Sequence, residues 1–331
     1  MRSLSNFLRK PQRENSAIPM LAQPVHCRPA LPDEVHPALG MILGGGGKLA
    51  DDQQVAEFLA FADQRRIVIS DLWIAASGGV MLWAILPIVS PGRTTLLFAP
   101  SDPPHPHIVP AAGALLDTVC NKYAANDVQL AQVLLDPADD AGRRMLEAHG
   151  FRRMAELIYL HAAVRRPLPP PELPADLAQM NYTPQTHALF ANAILASYQQ
   201  SLDCPALNGV RRIEDIIAGH KAGGEFDPRH WYVLCDRNKP IEETTPIGVL
   251  LLSRLPRGDS AELVYLGLAP SARGKSLGDW MMRRAFTTAA SMGVARLSLA
   301  VDSINAPALK LYYRFGMAKM GSKVAMMRKL I

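Results

Sequence analysis

The sequence predicts an α+β fold made of two copies of one unit. Three observations point to it: strand runs followed by alternating helix and strand, an internal repeat, and a proline-rich break near mid-chain. Elements in that order assemble as a mixed, mostly antiparallel sheet flanked by helices.

The C-terminal copy shows the order most clearly. Trp231 to Cys235 is a short strand run, and Asp236-Arg237-Asn238-Lys239-Pro240 carries turn chemistry. Ile247 to Leu252 is a second strand, Arg257-Gly258-Asp259 a second turn, and Glu262 to Leu268 a third strand stopped by Pro270. The period then becomes helical: Leu277, Trp280, Met281, Ala285, Ala289 and Met292 share a stripe that Gly293 ends. Leu297, Leu299 and Val301 alternate as a strand, and Ala308, Leu311, Tyr312 and Phe315 form another helical stripe, closed by Gly316. Met317 to Met320 and Lys323 to Met327 are expected as two last short strands.

The break is Arg165 to Pro174, with five prolines in ten residues. Proline cannot continue a helix or donate into a central strand, so this reads as an extended linker. It divides the chain into nearly equal halves, and the halves repeat. Leu135-Asp136, Asp139, Met145-Leu146 and His149-Gly150-Phe151 align with Val301-Asp302, Asn305, Leu311-Tyr312 and Phe315-Gly316-Met317 at an offset of 166. Phe98 to Ser101 matches Leu268 to Ser271 at an offset of 170. The expected division is a flexible basic tail (1–20), a first unit (21–164), a linker (165–175) and a second unit (176–331).

Composition sets the class. The 331 residues are 49% hydrophobic and 20% charged, which excludes wholesale disorder. No apolar stretch approaches the ~20 residues of a membrane helix; the longest contender, Val80 to Val89, has strand length. Arg2, Arg9, Lys10 and Arg13 are followed by no apolar segment of signal type. Cys27, Cys120, Cys204 and Cys235 form no CxxC pair and have no nearby histidine at ligand spacing, so neither a zinc site nor a disulfide framework is expected. The expected setting is reducing and cytoplasmic. Of the net charge of +5, residues 1–14 carry +3 and residues 271–331 carry +9, leaving −7 for residues 15–270. A basic C-terminal pole suits a polyanionic ligand, with a solvated basic face as the plain alternative. The aromatic interleaving of single-strand nucleic-acid binders is thin, so no nucleic-acid partner is expected.

Between the third strand and its helix lies Pro270-Ser271-Ala272-Arg273-Gly274-Lys275-Ser276-Leu277-Gly278-Asp279. A small, basic loop that opens a helix presents unpaired N–H groups backed by the positive dipole end, which attracts anions. It is neither a Walker loop nor a Rossmann fingerprint. The earlier Gly44 to Lys48 run has no convincing strand before it and reads as a flexible loop.

These residues resemble a known family. Leu266-Gly267-Leu268-Ala269-Pro270 with Arg273-Gly274-Lys275-Ser276-Leu277-Gly278 resembles motif A of the GNAT N-acetyltransferases, and Asn305, Ala308, Leu311-Tyr312 and Gly316-Met317 resemble motif B. The resemblance covers about 180–331 and, through the repeat, extends faintly over 30–165. It implies two tandem GNAT-like (acyl-CoA N-acyltransferase) units with a degenerate first copy, an architecture similar to mycothiol synthase. Ser276 stands where the family usually has glycine, which narrows the approach to a phosphate. In the first copy Pro103, Pro104, His105 and Pro106 replace the loop, and Leu146 replaces Tyr312. Prolines cannot donate N–H bonds, so that half is expected to hold no coenzyme.

What the resemblance implies for the site is direct transfer of acetyl from acetyl-CoA to a primary amine on a small molecule or peptide, with no metal and no membrane. Leu266, Gly267 and Leu268 would pair with the pantetheine, and the Leu268 amide would polarise the thioester. Arg273, Gly274, Lys275, Ser276, Leu277 and Gly278 would hold the pyrophosphate, with Asn305 touching the coenzyme while capping the last helix. Glu262 would be the base and Tyr312 the acid that protonates the leaving thiolate; a solvated strand end and a core tyrosine are the plain alternatives. Tyr313 points elsewhere on the helix. The polar segment from Tyr198 to Gly209 is where the fold places its acceptor, with Tyr198 and Asp203 as contacts and Asp203 able to hold an amine. Arg211, Arg212, Glu214 and Asp215 follow on a helix that His220 ends, and His187, His220 and His230 carry no implied role. Two rival readings remain: a non-catalytic acyl-CoA-binding or interaction protein, and a tandem aminoacyl transferase that uses charged tRNA without coenzyme A.

Overall fold

The structure, a computed structural model, describes residues 23–45, 48–64, 68–100, 105–164, 172–240, 243–256 and 259–331. The basic tail, Gly46 and Gly47, Pro103 and Pro104, most of the proline linker and the Arg257-Gly258 turn lie outside the described residues.

The repeat is borne by identical element order. The first half runs β1 (His26–Pro29), α1 (Val35–Leu43), α2 (Asp52–Gln64), β2 (Trp73–Ser77), β3 (Val80–Ser90), β4 (Thr94–Phe98), α3 (Val109–Ala124), β5 (Leu130–Leu135), α4 (Asp140–Ala148) and β6 (Arg152–Ala163). The second runs β7 (Leu177–Asn181), α5 (His187–Tyr198), α6 (Ile213–Ala222), β8 (Trp231–Asp236), β9 (Pro246–Arg254), β10 (Ser260–Leu268), α7 (Leu277–Ser291), β11 (Arg296–Asp302), α8 (Ala306–Arg314) and β12 (Ala318–Lys329). The conserved spacing of the repeat marks helix ends. Asp139 caps α4 by accepting from the Gly142 amide at 2.7 Å, and Asn305 caps α8 by accepting from the Ala308 amide at 3.3 Å. Gly150 and Gly316 follow those helices at φ +80° and +74°, the left-handed C-terminal position that glycine adopts freely.

The strands among the described residues join one 12-stranded sheet in the order β1-β2-β3-β4-β5-β12-β6-β11-β10-β9-β8-β7. The halves exchange their last strands: β12 pairs with β5 of the first half, and β6 pairs with β11 of the second. The boundary near 165–175 therefore divides the chain but not the sheet. The two short strands expected after Gly316 are one strand, β12, whose register against β6 shifts between Lys319 and Gly321. A bulge there takes up one residue and lets a single long strand cross both halves. Arg328 fixes its far end, donating to Asp117 on α3 at 2.6 Å and to the His149 carbonyl at 3.0 Å.

Helices cover both faces. On one, α7 and α8 pack on Leu250, Leu252, Leu263, Leu297 and Leu299, with α3 and α4 continuing the layer over Trp83, Ile85, Val133 and Val324. On the other, α5 and α6 pack on Trp231, Val233, Val249 and Leu251, while α1 and α2 cover Ile74, Ala84 and Leu86. The uninterrupted apolar run Val249 to Leu252 is fully buried because β9 has a helix layer on each face.

The β3–β4 turn of the first half reaches the second. Gly92 lies so close to α6 that an added Cβ would sit 2.2 Å from Arg211 Nη2 and 2.3 Å from the Asp215 carbonyl oxygen. Arg211 Nη2 donates to the Gly92 carbonyl at 3.2 Å, and Arg93 grips the Asp215 carboxylate. Arg211 and Arg212 precede α6 rather than lying on it, Arg212 being its N-cap residue, and His220 sits within the last turn.

Candidate functional site

Among the described residues the parallel pairs are β4 with β5 and β10 with β11, and each lasts three residues. In the second half pairing stops at Glu262 and Ser298, after which the strands diverge. Strands with no ladder between them leave a wedge, and here it opens into a cleft of about 490 Å3. Leu263 to Leu268 form one wall, Leu299 to Val301 the other, and the turn before α7 closes the mouth. The matching wedge of the first half encloses about 30 Å3, filled by Trp83, Leu97, Leu116 and Leu146. That is the room of about one water.

The turn is left-handed at two positions, Gly274 at φ +75° and Ser276 at φ +58°. Ser276 is the N-cap residue of α7 and makes no side-chain cap. Among the described residues the amides of Gly274 to Gly278 find no acceptor; the first to do so are Asp279 and Trp280, both donating to the Ser276 carbonyl. These five N–H groups lie at the positive end of a fifteen-residue helix, and Gly274, Ser276 and Gly278 among them line the cleft. Gly278 packs closely on α8: a Cβ there would sit 3.1 Å from the Leu311 side chain, which would have to give slightly.

Not every residue expected on this loop turns toward the cleft. The Arg273 guanidinium is committed to carbonyls, donating to Ser197 (2.9 Å), Gln199 (2.8 Å), Gln200 (3.0 Å) and Leu268 (3.2 Å). It caps the C-terminus of α5, where carbonyls lack helical partners and a cation meets the negative dipole end. The guanidinium thus ties the loop to α5. Leu277 is buried beside Leu177 and Ala272, away from the cleft lining. Lys275 is exposed at the mouth.

Deeper in, Tyr312 projects from α8 into the cleft and is only 7% exposed. Burial and the neighbouring charge of Asp203 push its phenol far above the ordinary value. Asn305 borders the same space while capping α8. Asp203, on the segment joining α5 to α6, reaches the cleft too, and burial raises its carboxyl. Asp302, 2% exposed at the end of β11, accepts from the Cys204 and Ile304 amides at 3.2 Å each, and its own amide points at Asp203 Oδ1 at 3.4 Å. The α5–α6 segment is thereby pinned to β11 at one end and to Arg273 at the other.

Tyr198 does not line the cleft. It packs edge-on against Tyr265 at 5.9 Å, and burial lifts its phenol to about 12. Glu262 likewise stands outside the lining residues: it is the last β10 residue paired with β11, opposite Ser298 there and Ser253 of β9, and its charge acts on Tyr159 of β6. Two cleft features escaped sequence reading. Tyr265, hydrogen-bonded to Ser197 at 2.7 Å and stacked on His220, comes to the wall through the bulge at Val264. Arg314 of α8 and Asp279 of α7 form an ion pair across the mouth. Neither has a motif; both depend on which elements become neighbours. His220, half-buried against Tyr265, is pushed down by burial to about 4 and is neutral at physiological pH.

Residues 202–317 match the family model described as acetyltransferase (GNAT) family, and that span holds the wedge, the turn and Tyr312. Over that span, about a third of the chain, the protein is similar to the GNAT acetyltransferases. A mycothiol acetyltransferase from Jonesia denitrificans is 35% identical over 96 residues, 29% of this chain and 29% of that protein. The match thus spans less than a third of the curated relative's length. A GCN5-related N-acetyltransferase from Sphaerobacter thermophilus superposes with a TM-score of 0.55 at 15% identity, covering 92% of this chain and 96% of that one. A tandem GNAT protein from the clavulanic acid biosynthesis pathway superposes at 0.51 and 15% identity, covering 93% and 99%. These two likenesses are of fold, and they extend the GNAT architecture across both halves. Among the described residues no three metal-ligating side chains gather, and no helix is long and apolar enough to cross a membrane. All four cysteines are unpaired thiols.

Proposed function

We propose that the protein is an N-acetyltransferase that carries acetyl from acetyl-CoA to a primary amine. The observation that carries this reading is the open wedge between β10 and β11, with amides at its mouth and a buried phenol at its inner end. Acetyl-CoA would supply the activated acyl group as a thioester. The amides of Gly274 to Gly278 suit its pyrophosphate, since an N-terminal turn favours anions. The diverging backbone around Leu266 to Leu268 has main-chain groups free to pair with an extended amide chain, and an amide there can polarise a thioester carbonyl. Tyr312, held protonated by burial, suits a donor to the leaving sulfur. The first half, whose wedge is filled, would serve as scaffold through β6 and the Gly92–Arg93 turn. The acceptor is a small-molecule or peptide amine, and the setting cytoplasmic.

Calorimetric titration with acetyl-CoA, on wild type and on Tyr312→Phe, tests this. Binding retained in both, with thiol release lost only in the variant, supports an enzyme. Thiol release unchanged in the variant would favour a non-catalytic or different role for the cleft.

A further inference from the structure

We propose that Asp203, not Glu262, takes the proton from the acceptor ammonium. The inference rests on the acetyltransferase reading and deepens it. An alkylamine reaches the enzyme as R–NH3+, which has no lone pair, so a group bordering the acyl end of the cleft must accept a proton first. Glu262 stands outside the lining residues, at the closed root of the wedge. Asp203 borders the cleft together with Tyr312, and its charge is felt at the Tyr312 and Tyr265 phenols.

The surroundings of Asp203 suit that task. Asp302 at the end of β11 sets a second carboxylate beside it, and α8 contributes the Asn305 side chain as a donor. From α5 comes Tyr198, from β10 Tyr265, and from its own segment Cys204; all three are uncharged at neutral pH, held protonated by burial. Among the described residues neither Asp203 nor Asp302 has an ion-pair partner, whereas the nearby Arg273 is spent on carbonyls and Arg314 on Asp279. The inner end of the cleft is therefore an anionic pocket without a cation of its own, which a primary ammonium completes.

The step balances as follows. R–NH3+ gives one proton to the Asp203 carboxylate and becomes R–NH2. Its nitrogen forms the C–N bond to the thioester carbon, the C–S bond breaks, and the departing sulfur takes the Tyr312 proton. The phenolate recovers a proton from the acylated nitrogen, leaving R–NH–CO–CH3, and Asp203 releases its proton to solvent.

Two probe amines separate this from mere positioning. Ethylamine arrives protonated at neutral pH, while hydroxylamine arrives with its nitrogen unprotonated and needs no base. With acetyl-CoA and thiol release as readout at pH 7, Asp203→Asn is expected to slow transfer to ethylamine by about 100-fold and to hydroxylamine by less than about threefold. Its ethylamine rate should then climb about tenfold per pH unit, as solvent takes over the deprotonation, and Asp203→Glu should restore part of it. Calorimetric acetyl-CoA binding by Asp203→Asn reports that the variant is folded. An equal loss with both amines overturns the proposal, as does a selective ethylamine loss in Glu262→Gln instead. A wild type that binds acetyl-CoA but releases no thiol with ethylamine also overturns it and leaves the coenzyme site standing. A wild type that binds no acetyl-CoA overturns both readings.

Discussion

Arg93 in the first half and Asp215 in the second form a two-point ion pair, Nη2 to Oδ2 at 2.6 Å and Nε to Oδ1 at 3.0 Å. Bidentate guanidinium–carboxylate geometry fixes orientation as well as distance. The pair thereby sets where α6 stands, and with it the end of the segment that carries Asp203. Gly92 supplies the close approach: alanine there would collide with Arg211 and the Asp215 carbonyl. Gly92→Ala is expected to cost about 1–3 kcal/mol through overpacking, measured by urea denaturation.

The same pair gives a pH signature. Arg93 holds the Asp215 carboxyl below its ordinary value. A depressed folded-state value stabilises the protein above the unfolded value of 3.8, and that contribution fades as pH falls through the folded one. Arg93→Gln should therefore lower thermal midpoints at pH 7 and converge with wild type in strong acid. Parallel curves at all pH values would show that the pair contributes nothing through charge.

Arg273 and Lys275 should separate cleanly. Arg273→Ala removes three bonds to carbonyls at the end of α5 and one to Leu268 on β10, so it should lower the thermal midpoint and loosen the acceptor segment, visible as faster hydrogen exchange over 197–204. Lys275 is exposed and touches none of that scaffold. Lys275→Glu should keep the midpoint and weaken acetyl-CoA roughly fivefold or more, about 1 kcal/mol, with the difference shrinking in high salt.

Ser276 sits at φ +58° with no capping bond to offset the strain. Ser276→Gly is expected to stabilise by up to about 1 kcal/mol, the relief of a left-handed residue less the entropy that glycine adds to the unfolded chain. Acetyl-CoA affinity should hold or rise; a loss would mean that the hydroxyl itself contacts the ligand.

The strand exchange predicts that neither half stands alone. A fragment spanning 176–331 lacks β6, which leaves β11 and β12 without their shared partner and exposes two rows of N–H and C=O groups. It should be insoluble or associate in sedimentation, and co-expression with 23–164 should restore a stoichiometric complex.

Much of this was legible in the chain. Hydrophobic period placed β8 to β11, α7 and α8, because those elements pack one apolar stripe or bury both faces. The repeat was visible because helix caps demand particular residues: Asp139 and Asn305 before a helix, Gly150 and Gly316 after it. The turn before α7 was legible for the same local reason. Pairing was not, since an apolar strand carries no record of its neighbour. Two expected last strands became one because β12 runs past Gly321 into the other half.

The sequence by itself determined the α+β units, their duplication and the anion-favouring turn, all of which follow from local backbone chemistry and periodicity. Tertiary structure alone decided that the halves exchange strands, that Arg273 serves α5, that the first wedge fills while the second stays open, and that Asp203 rather than Glu262 borders Tyr312. Those outcomes depend on which distant segments meet, and on volumes and charges that exist only once they do.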